Sequence, residues 1–248
     1  MTALRAIGLH KAFGGVHAVA GVSFAVRRGE MLAMIGPNGA GKTTCFDLLG
    51  GQVRPDAGRV LLDGQDITGL PPRLLARRGV GRTFQITTVF ASMTVRENVQ
   101  VALQAHHRRS WRCWRAADAT FRDEADALLA QVDMDAQAGR AAGVLAYGDL
   151  KRLELAVALA AGPSLLLMDE PTAGMAPAER TALMALVRRL ARERGLAVLF
   201  TEHDMDVVFG IADRILVLNR GHLIAEGDAA AVRADARVRE VYLGGGAP

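Results

Sequence analysis

The chain contains 248 residues, of which 50% are hydrophobic and 5% aromatic, and its formal net charge is +4. This length and hydrophobic content are enough for one large domain, or one domain with a subdomain, around a sizeable core. The small charge excess permits an acidic membrane or nucleic-acid neighbour without requiring one, and two cysteines that form no C-x-x-C pair indicate a reduced, cytosolic compartment.

The N-terminal part of the chain predicts antiparallel strands. Residues 4–30 alternate loosely between apolar and polar positions and are interrupted by glycine turns, and residues 59–62 add a further strand. The N-terminus lacks the basic start and long apolar core of a signal peptide. Phe13 is the one aromatic residue among the first 23, and it is either an ordinary core residue or a ring that stacks on a base.

Residues 36–43 match the phosphate-binding spacing G-x-x-x-x-G-K-[ST]. The apolar run 31–35 predicts a buried strand that enters this loop, and residues 43–49 predict a short helix that leaves it. Glycines let backbone N–H groups turn toward phosphate oxygens, and the helix N-terminus adds a partial positive charge. Lys42 would reach the β- and γ-phosphates, and the Thr43 hydroxyl would bind Mg²⁺. The predicted nucleotide-binding residues of this loop are Gly36, Pro37, Asn38, Gly39, Ala40, Gly41, Lys42, Thr43 and Thr44.

The middle of the chain predicts a helical insert. Residues 74–84 read as a short helix and a strand, and the strand is followed by Gln85, whose side chain suits Mg²⁺ or water. Residues 88–159 contain no clear strand, and helical signals cover 94–104 and 116–132.

Membrane contact is suggested by one segment only. Residues 106–115 hold both tryptophans and four arginines, so this run is either a solvated connection or a contact with lipid headgroups. No stretch predicts a membrane span, because the apolar residues 153–168 are broken at Gly162-Pro163 into a helix and a strand.

The last third of the chain predicts strands whose ends carry polar side chains. In an open parallel sheet, ligands bind beyond the carboxyl ends of the strands. Asp169 there suits an outer-sphere Mg²⁺ partner, and Glu170 is placed to polarise an attacking water. His203 would hydrogen-bond the γ-phosphate, although a lone histidine is more often a core residue. The predicted strands are 164–168, 197–200, 214–218 and 222–225, with a helix over 178–193.

In combination these motifs resemble the ATP-binding subunit of an ABC transporter, over nearly the whole chain. Residues 36–44 resemble the Walker A loop, and residues 165–170 resemble Walker B with its catalytic glutamate. Gln85 resembles the glutamine of the Q-loop, His203 the switch histidine and Phe13 the base-stacking aromatic of the A-loop. The L-S-G-G-Q signature aligns with Leu145, Ala146, Tyr147, Gly148 and Asp149.

The resemblance implies an α/β fold of the P-loop NTPase class, with a RecA-like core, an antiparallel β subdomain and a helical subdomain. The core would comprise residues 1–87 and 160–225, the helical subdomain residues 88–159, and a C-terminal extension residues 226–248. The implied cofactors are ATP and Mg²⁺, with Thr43, Gln85 and Asp169 around the metal and Glu170, His203 and Gln85 in catalysis.

The implied partners are a second ATPase subunit in a homo- or heterodimer, permease subunits, and a periplasmic binding protein that acts through the permease. The implied location is cytoplasmic, on the inner face of the cell membrane, with no nucleic acid bound.

A non-transport ABC protein that acts on ribosomes or DNA is less favoured, because such relatives usually carry two ATPase units or long coiled coils. A P-loop kinase would need neither the 145–149 loop nor a strand-end histidine.

Finer motifs resemble the branched-chain amino-acid (Liv-type) importers, although related importers carry urea, amides or aromatic acids. They are Phe13-Gly14-Gly15 and residues 66–72, 82–85, 96–99, 145–149, 173–175, 225–227 and 241–244.

Two loops depart from the family pattern. Ala146 replaces the signature serine, Leu150 replaces a usual glutamine, and the D-loop at 173–176 ends in Ala176 rather than Asp or Asn. Both loops act across the dimer interface. When the two subunits differ, we therefore expect the chain's own Walker site to be competent and its partner's site to be weaker.

Overall fold

The computed structural model describes residues 1–83, 89–107 and 121–243. Gln85 and residues 108–120, which include most of the arginine–tryptophan run, lie outside the described residues. In chain order the strands are β1 (Thr2–Phe13), β2 (Val16–Arg27), β3 (Met31–Ile35), β4 (Ala57–Leu62), β5 (Gln65–Asp66), β6 (Val80–Thr83), β7 (Leu165–Asp169), β8 (Ala197–Thr201), β9 (Arg214–Asn219) and β10 (His222–Gly227). The helices are α1 (Lys42–Leu49), α2 (Pro72–Arg77), α3 (Val95–His106), α4 (Arg122–Gln131), α5 (Tyr147–Leu159), α6 (Pro177–Arg194), α7 (Met205–Ile211), α8 (Ala229–Ala234) and α9 (Ala236–Leu243).

Two sheets organise these elements. The first is antiparallel, with the strand order β2-β1-β4-β5. The second has the order β10-β9-β3-β8-β7-β6, and its strands run parallel except β10, which pairs antiparallel with β9. This α/β arrangement of a mostly parallel sheet and an antiparallel sheet confirms the predicted fold class.

Strand β3 is buried along its whole length because both faces of the second sheet are covered. Met31, Ala33 and Ile35 pack into the core on the side of α3, α4, α5 and α6. Leu32 and Met34 pack into a second core, shared with the antiparallel sheet and α1. All five residues of this strand are therefore apolar because alternate side chains enter two different cores.

Helix boundaries follow local chemistry. Thr94 caps α3 by accepting from the Glu97 N–H, while the Glu97 carboxylate accepts from the Thr94 N–H. Helix α6 begins with Pro177 in its first turn and ends at Gly195, whose φ of 63° suits a residue without a side chain. Helix α5 begins at Tyr147, and its N-cap residue Ala146 supplies no side-chain cap.

Most predicted elements match the structure within a few residues. The predicted strands at 59–62, 164–168, 197–200, 214–218 and 222–225 correspond to β4, β7, β8, β9 and β10. Helices α7, α8 and α9 were not predicted, and neither was the two-residue strand β5. The described part of 88–159 forms α3, α4, α5, two 3₁₀ turns and one isolated bridge between Thr94 and Ala141. The division into subdomains remains a prediction.

No helix in the described ranges combines the length and apolar character needed to cross a bilayer.

Candidate nucleotide-binding site

The phosphate loop follows β3 directly and leads into α1. Within it, the ammonium of Lys42 donates to two backbone carbonyls, Gly36 O at 2.6 Å and Pro37 O at 3.2 Å. Burial lowers the pKa of Lys42, while the charges of Glu170 and Asp169 act in the opposite direction. The cation is thus held inside the loop by backbone carbonyls, within range of the charges of Asp169 and Glu170 at the end of β7.

Two glycines let the loop pack against neighbouring strands. A Cβ atom on Gly36 would lie 2.3 Å from the Leu218 carbonyl oxygen in β9, and one on Gly41 would lie 2.2 Å from the Ala18 carbonyl oxygen in β2. Gly41 also has a φ of 102°, which disfavours residues with side chains. The loop backbone is therefore fixed by direct contact with β2 and β9.

The C-terminal helix also reaches this loop. Tyr242 in α9 lies close enough to the loop for the Gly36 backbone to influence the pKa of its hydroxyl. Burial raises the pKa of Tyr242 to about 12, although the Gly36 backbone acts to lower it. The hydroxyl therefore remains neutral at ordinary pH.

The ends of β7 and β8 bring the acidic residues together. The Thr201 hydroxyl donates to Asp169 Oδ1 at 2.6 Å and accepts from the Glu170 N–H at 3.0 Å. Arg82 lies 3.9 Å from the other carboxylate oxygen of Asp169. Glu170 has a φ of 49°, an unfavourable value for a residue with a side chain. Thr201 of β8 thus contacts both Asp169, which ends β7, and Glu170, which follows it.

His203 and Glu170 are in direct contact. His203 Nε2 lies 2.8 Å from Glu170 Oε1, and the two side chains line the same cavity of about 440 Å³ as Lys42, Thr43 and Thr44. The other residues of its lining are Val16, His17, Ala18, Asn38, Gly39, Ala40, Gly41 and Arg220. Glu170 and His203 therefore meet the phosphate loop around one volume, whereas Asp169, Gly36 and Pro37 are not in its lining.

The loops behind His203 are held by buried or partly buried hydrogen bonds. Glu202 Oε1 accepts from the Thr172 hydroxyl at 2.6 Å and from its N–H at 2.9 Å. Asp204 caps α7 and pairs with Arg180 at 2.8 Å, contacts that lower the pKa of Asp204. These bonds connect the segment after β7 with the segment after β8.

Phe13 lies beside the cavity rather than in its lining. It ends β1, pairs with Val16 and is 50% exposed. The Lys11 ammonium lies 5.4 Å from the centre of its ring. Since Val16 lines the cavity, Phe13 lies near the cavity, and its role in base stacking remains a prediction.

The signature residues lie elsewhere. Leu145 to Asp149 are not among the described residues that line the cavity around Lys42. The Tyr147 hydroxyl donates to Ala173 O at 3.1 Å, and Asp149 accepts from Gln137 Nε2 at 2.9 Å. The signature and D-loop are therefore in contact with one another on their own chain.

Sequence reasoning missed three groups near the site: Thr201, the pair His17 and Arg220, and Tyr242. None belongs to a local motif. Each reaches the site through the pairing of strands or the packing of a distant helix. A polar residue after an apolar strand was the available signal for Thr201.

Comparison with known proteins decides the family. The family model described as ABC transporter matches residues 19–173. The chain belongs to the ABC transporter ATP-binding family. A second model, described as branched-chain amino acid ATP-binding cassette transporter, matches residues 222–248 and places the chain on that branch of the family.

Relatives of this ABC ATPase include two named transport proteins. The high-affinity branched-chain amino acid transport ATP-binding protein BraF of Pseudomonas aeruginosa is 41% identical over 248 residues, covering 97% of each chain. LivG of Escherichia coli strain K12, with the same description, is 39% identical over 244 residues, covering 96% of each chain.

Solved structures agree with this assignment. A nucleotide-free ATP-binding cassette from an ABC transporter aligns with a TM-score of 0.84 and 31% identity, over 98% of this chain and 100% of that one. The ADP conformation of an ATP-binding cassette of an ABC transporter aligns with a TM-score of 0.85 and 32% identity, over 98% and 99%. The predicted family resemblance is confirmed, and the chain is an ATP-binding ATPase of the ABC transporter class.

Proposed function

We propose that this ABC ATPase drives a separate permease that imports branched-chain amino acids. The family assignment supports the transport role, and the substrate class is carried over from the printed descriptions of BraF and LivG. The observation that carries the ATPase role is the meeting of Lys42, Glu170 and His203 around one cavity of about 440 Å³.

The roles of the site residues follow from this geometry. Lys42 would transfer its hydrogen bonds from loop carbonyls to the β- and γ-phosphates, adding a positive charge where negative charge accumulates. Glu170 would orient the attacking water and accept its proton. His203, in contact with Glu170, would hold that carboxylate and hydrogen-bond the γ-phosphate.

Oxygen donors are available for Mg²⁺. The Thr43 hydroxyl lies in the first turn of α1 and lines the cavity, and the Asp169 carboxylate ends β7. Hydroxyl and carboxylate oxygens suit this hard cation, and Gln85 is the further predicted ligand. Bound Mg²⁺ would neutralise charge on the phosphates.

The assembly implied by this function has four parts. We propose that a second ATPase subunit contributes its signature loop to this site, and that Leu145 to Asp149 of this chain act on the partner's site. Permease subunits and a periplasmic binding protein would complete the importer, with this subunit on the inner face of the membrane.

Uptake into proteoliposomes tests the proposal. The chain is assembled with permease subunits, a second ATPase subunit and a periplasmic binding protein from the same organism, and ATP-dependent uptake of leucine, isoleucine and valine is compared with uptake of urea, an amide and an aromatic acid. We expect branched-chain amino acids to be taken up by the parent and not by the Lys42→Ala variant. Uptake of one of the other solutes alone would contradict the substrate assignment.

A further inference from the structure

The turn between β9 and β10 is attached to the nucleotide site by its backbone. Gly221 N donates to the Ala40 carbonyl oxygen at 2.9 Å, and the Gly221 carbonyl oxygen accepts from Ala20 N at 2.9 Å. The same glycine approaches Gly41 closely, since a Cβ atom built on Gly41 would lie 3.5 Å from Gly221 Cα. The turn is therefore fixed both to the phosphate loop and to β2.

Arg220 occupies this turn with a φ of 47°, in the left-handed region. Residues with a Cβ atom adopt that region at a cost, and glycine or asparagine adopts it more readily. In the described part of the chain five non-glycine residues have positive φ: Asp63, Phe121, Asp133, Glu170 and Arg220. Of these, Glu170 and Arg220 line the nucleotide cavity. Backbone strain of this kind is concentrated at functional sites.

The charge of Arg220 is available to a ligand. Its side chain is exposed and makes no hydrogen bond or ion pair with another residue in the described ranges, whereas Arg180 and Arg214 are paired with carboxylates. Lys42, by comparison, is engaged with the carbonyls of its own loop. The cavity thus presents an unpaired guanidinium on the wall formed by β2 and the β9–β10 turn.

The position of this wall indicates which part of a nucleotide it faces. Glu170 and His203 mark the γ-phosphate end under the proposed function, on which this argument rests. Val16 and the neighbouring Phe13 mark the base end. Arg220 lies with Val16 and His17 in the lining, and its turn is bonded to Ala40 and Ala20. Arg220 therefore lies on the wall of the cavity nearer the base end than Glu170 and His203 do.

We propose that Arg220 is a nucleotide-binding residue that contacts the α-phosphate of the bound nucleotide. An arginine offers two parallel N–H donors to phosphate oxygens, and such charge-assisted bonds are stronger than neutral ones. The contact is common to AMP, ADP and ATP and is missing for adenosine. Arg220 would add affinity for all three nucleotides without distinguishing the triphosphate from the diphosphate.

Titration of two variants tests the proposal. Dissociation constants for adenosine, AMP, ADP and ATP are measured by displacement of a fluorescent ATP analogue, with Arg220→Gln, Arg220→Gly and the parent at one ionic strength. We expect both variants to bind AMP, ADP and ATP about tenfold more weakly and adenosine as the parent does. Arg73→Gln is the matched control, because Arg73 is an exposed arginine of α2 outside the cavity lining.

Thermal unfolding without nucleotide separates binding from folding. Arg220→Gly relieves the left-handed strain, so its melting temperature should be about 2 °C above that of the parent while its nucleotide affinity is lower. A structural role for the side chain would lower both. Affinities within twofold of the parent, a loss confined to ATP, or an equal loss for adenosine would each overturn the proposal. If the parent itself bound no ATP, the proposed function would fail instead.

Discussion

His203 Nε2 and Glu170 Oε1 lie 2.8 Å apart, although 33 positions separate the two residues in the chain. They meet because β7 and β8 are adjacent and parallel, with Asp169 paired to Thr201 at their carboxyl ends. A carboxylate in contact with an imidazole has a defined orientation, which a group that positions water requires. The pair is therefore suited to a γ-phosphate that lies over the phosphate loop.

Replacing Glu170 by Gln is expected to separate binding from hydrolysis. The amide keeps the size of the side chain and a hydrogen bond to His203 but cannot accept a proton from water. We expect ATP affinity close to that of the parent and turnover reduced about 100-fold or more. Single-turnover hydrolysis in the assembled transporter measures this. Asp206→Asn, a charge change at an exposed position of α7 outside the cavity, is the control, and near-parental turnover by Glu170→Gln would remove its assigned role.

Gly41 and Gly39 provide a matched pair of substitutions in the phosphate loop. Both have positive φ, 102° and 78°, but only Gly41 faces a clash, with the Ala18 carbonyl oxygen at 2.2 Å. Gly39→Ala should cost about 1–2 kcal/mol from backbone strain, and Gly41→Ala about 1–3 kcal/mol more from overpacking. Urea unfolding gives both values. Equal losses would show that the loop is not pressed against β2.

Ala146→Ser is expected to affect both stability and the partner's site. Ala146 is the N-cap of α5 and provides no side-chain acceptor, so a serine there should stabilise the fold by up to about 1 kcal/mol. The same hydroxyl would restore the family's signature donor to the γ-phosphate in the partner subunit. In the assembled complex we expect more nucleotide trapped in that subunit. If the variant unfolded at the same urea concentration as the parent and trapped no more nucleotide in the partner subunit, both the capping and the signature predictions would be wrong.

The stability of the fold is expected to fall in alkali because of Cys45. Burial raises the pKa of this thiol from 9.0 to about 12. Between those values the unfolded chain has lost the proton and the folded chain retains it, so the free energy of unfolding decreases as pH rises. Below about pH 9 the contribution of Cys45 is fully present. Urea titrations between about pH 8 and 11 should show a shallower decline for Cys45→Ala than for the parent, and parallel curves would contradict the assignment.

The local parts of the site were predictable from sequence. An apolar run, a glycine-rich spacing and a helix are contiguous, so β3, the phosphate loop and α1 were identified together. Asp169, Glu170 and His203 followed from the rule that ligands bind beyond the carboxyl ends of parallel strands. The family resemblance then extended the interpretation to the whole chain.

The side of the cavity lined by His17 and Arg220 was not predictable from the local sequence. Arg220 is an ordinary turn residue in the sequence, and its relation to Ala40 arises only when β9 pairs with β3. His17 reaches the cavity because β2 crosses from the antiparallel sheet to the phosphate loop. Helix α7 has only seven residues, too few for a helical period to be evident.

The packing of strand β3 also determines how far along the strand direction the phosphate loop lies. Its successive side chains enter two different cores, so a slip of one residue would exchange every one of them between the cores. A shift of β3 that keeps each side chain in its own core must span two residues, a displacement of about 6.6 Å along the strand. A change of register would therefore move the loop in steps of two residues. The register of β3 therefore fixes the position of the phosphate loop along the strand relative to Glu170 and His203.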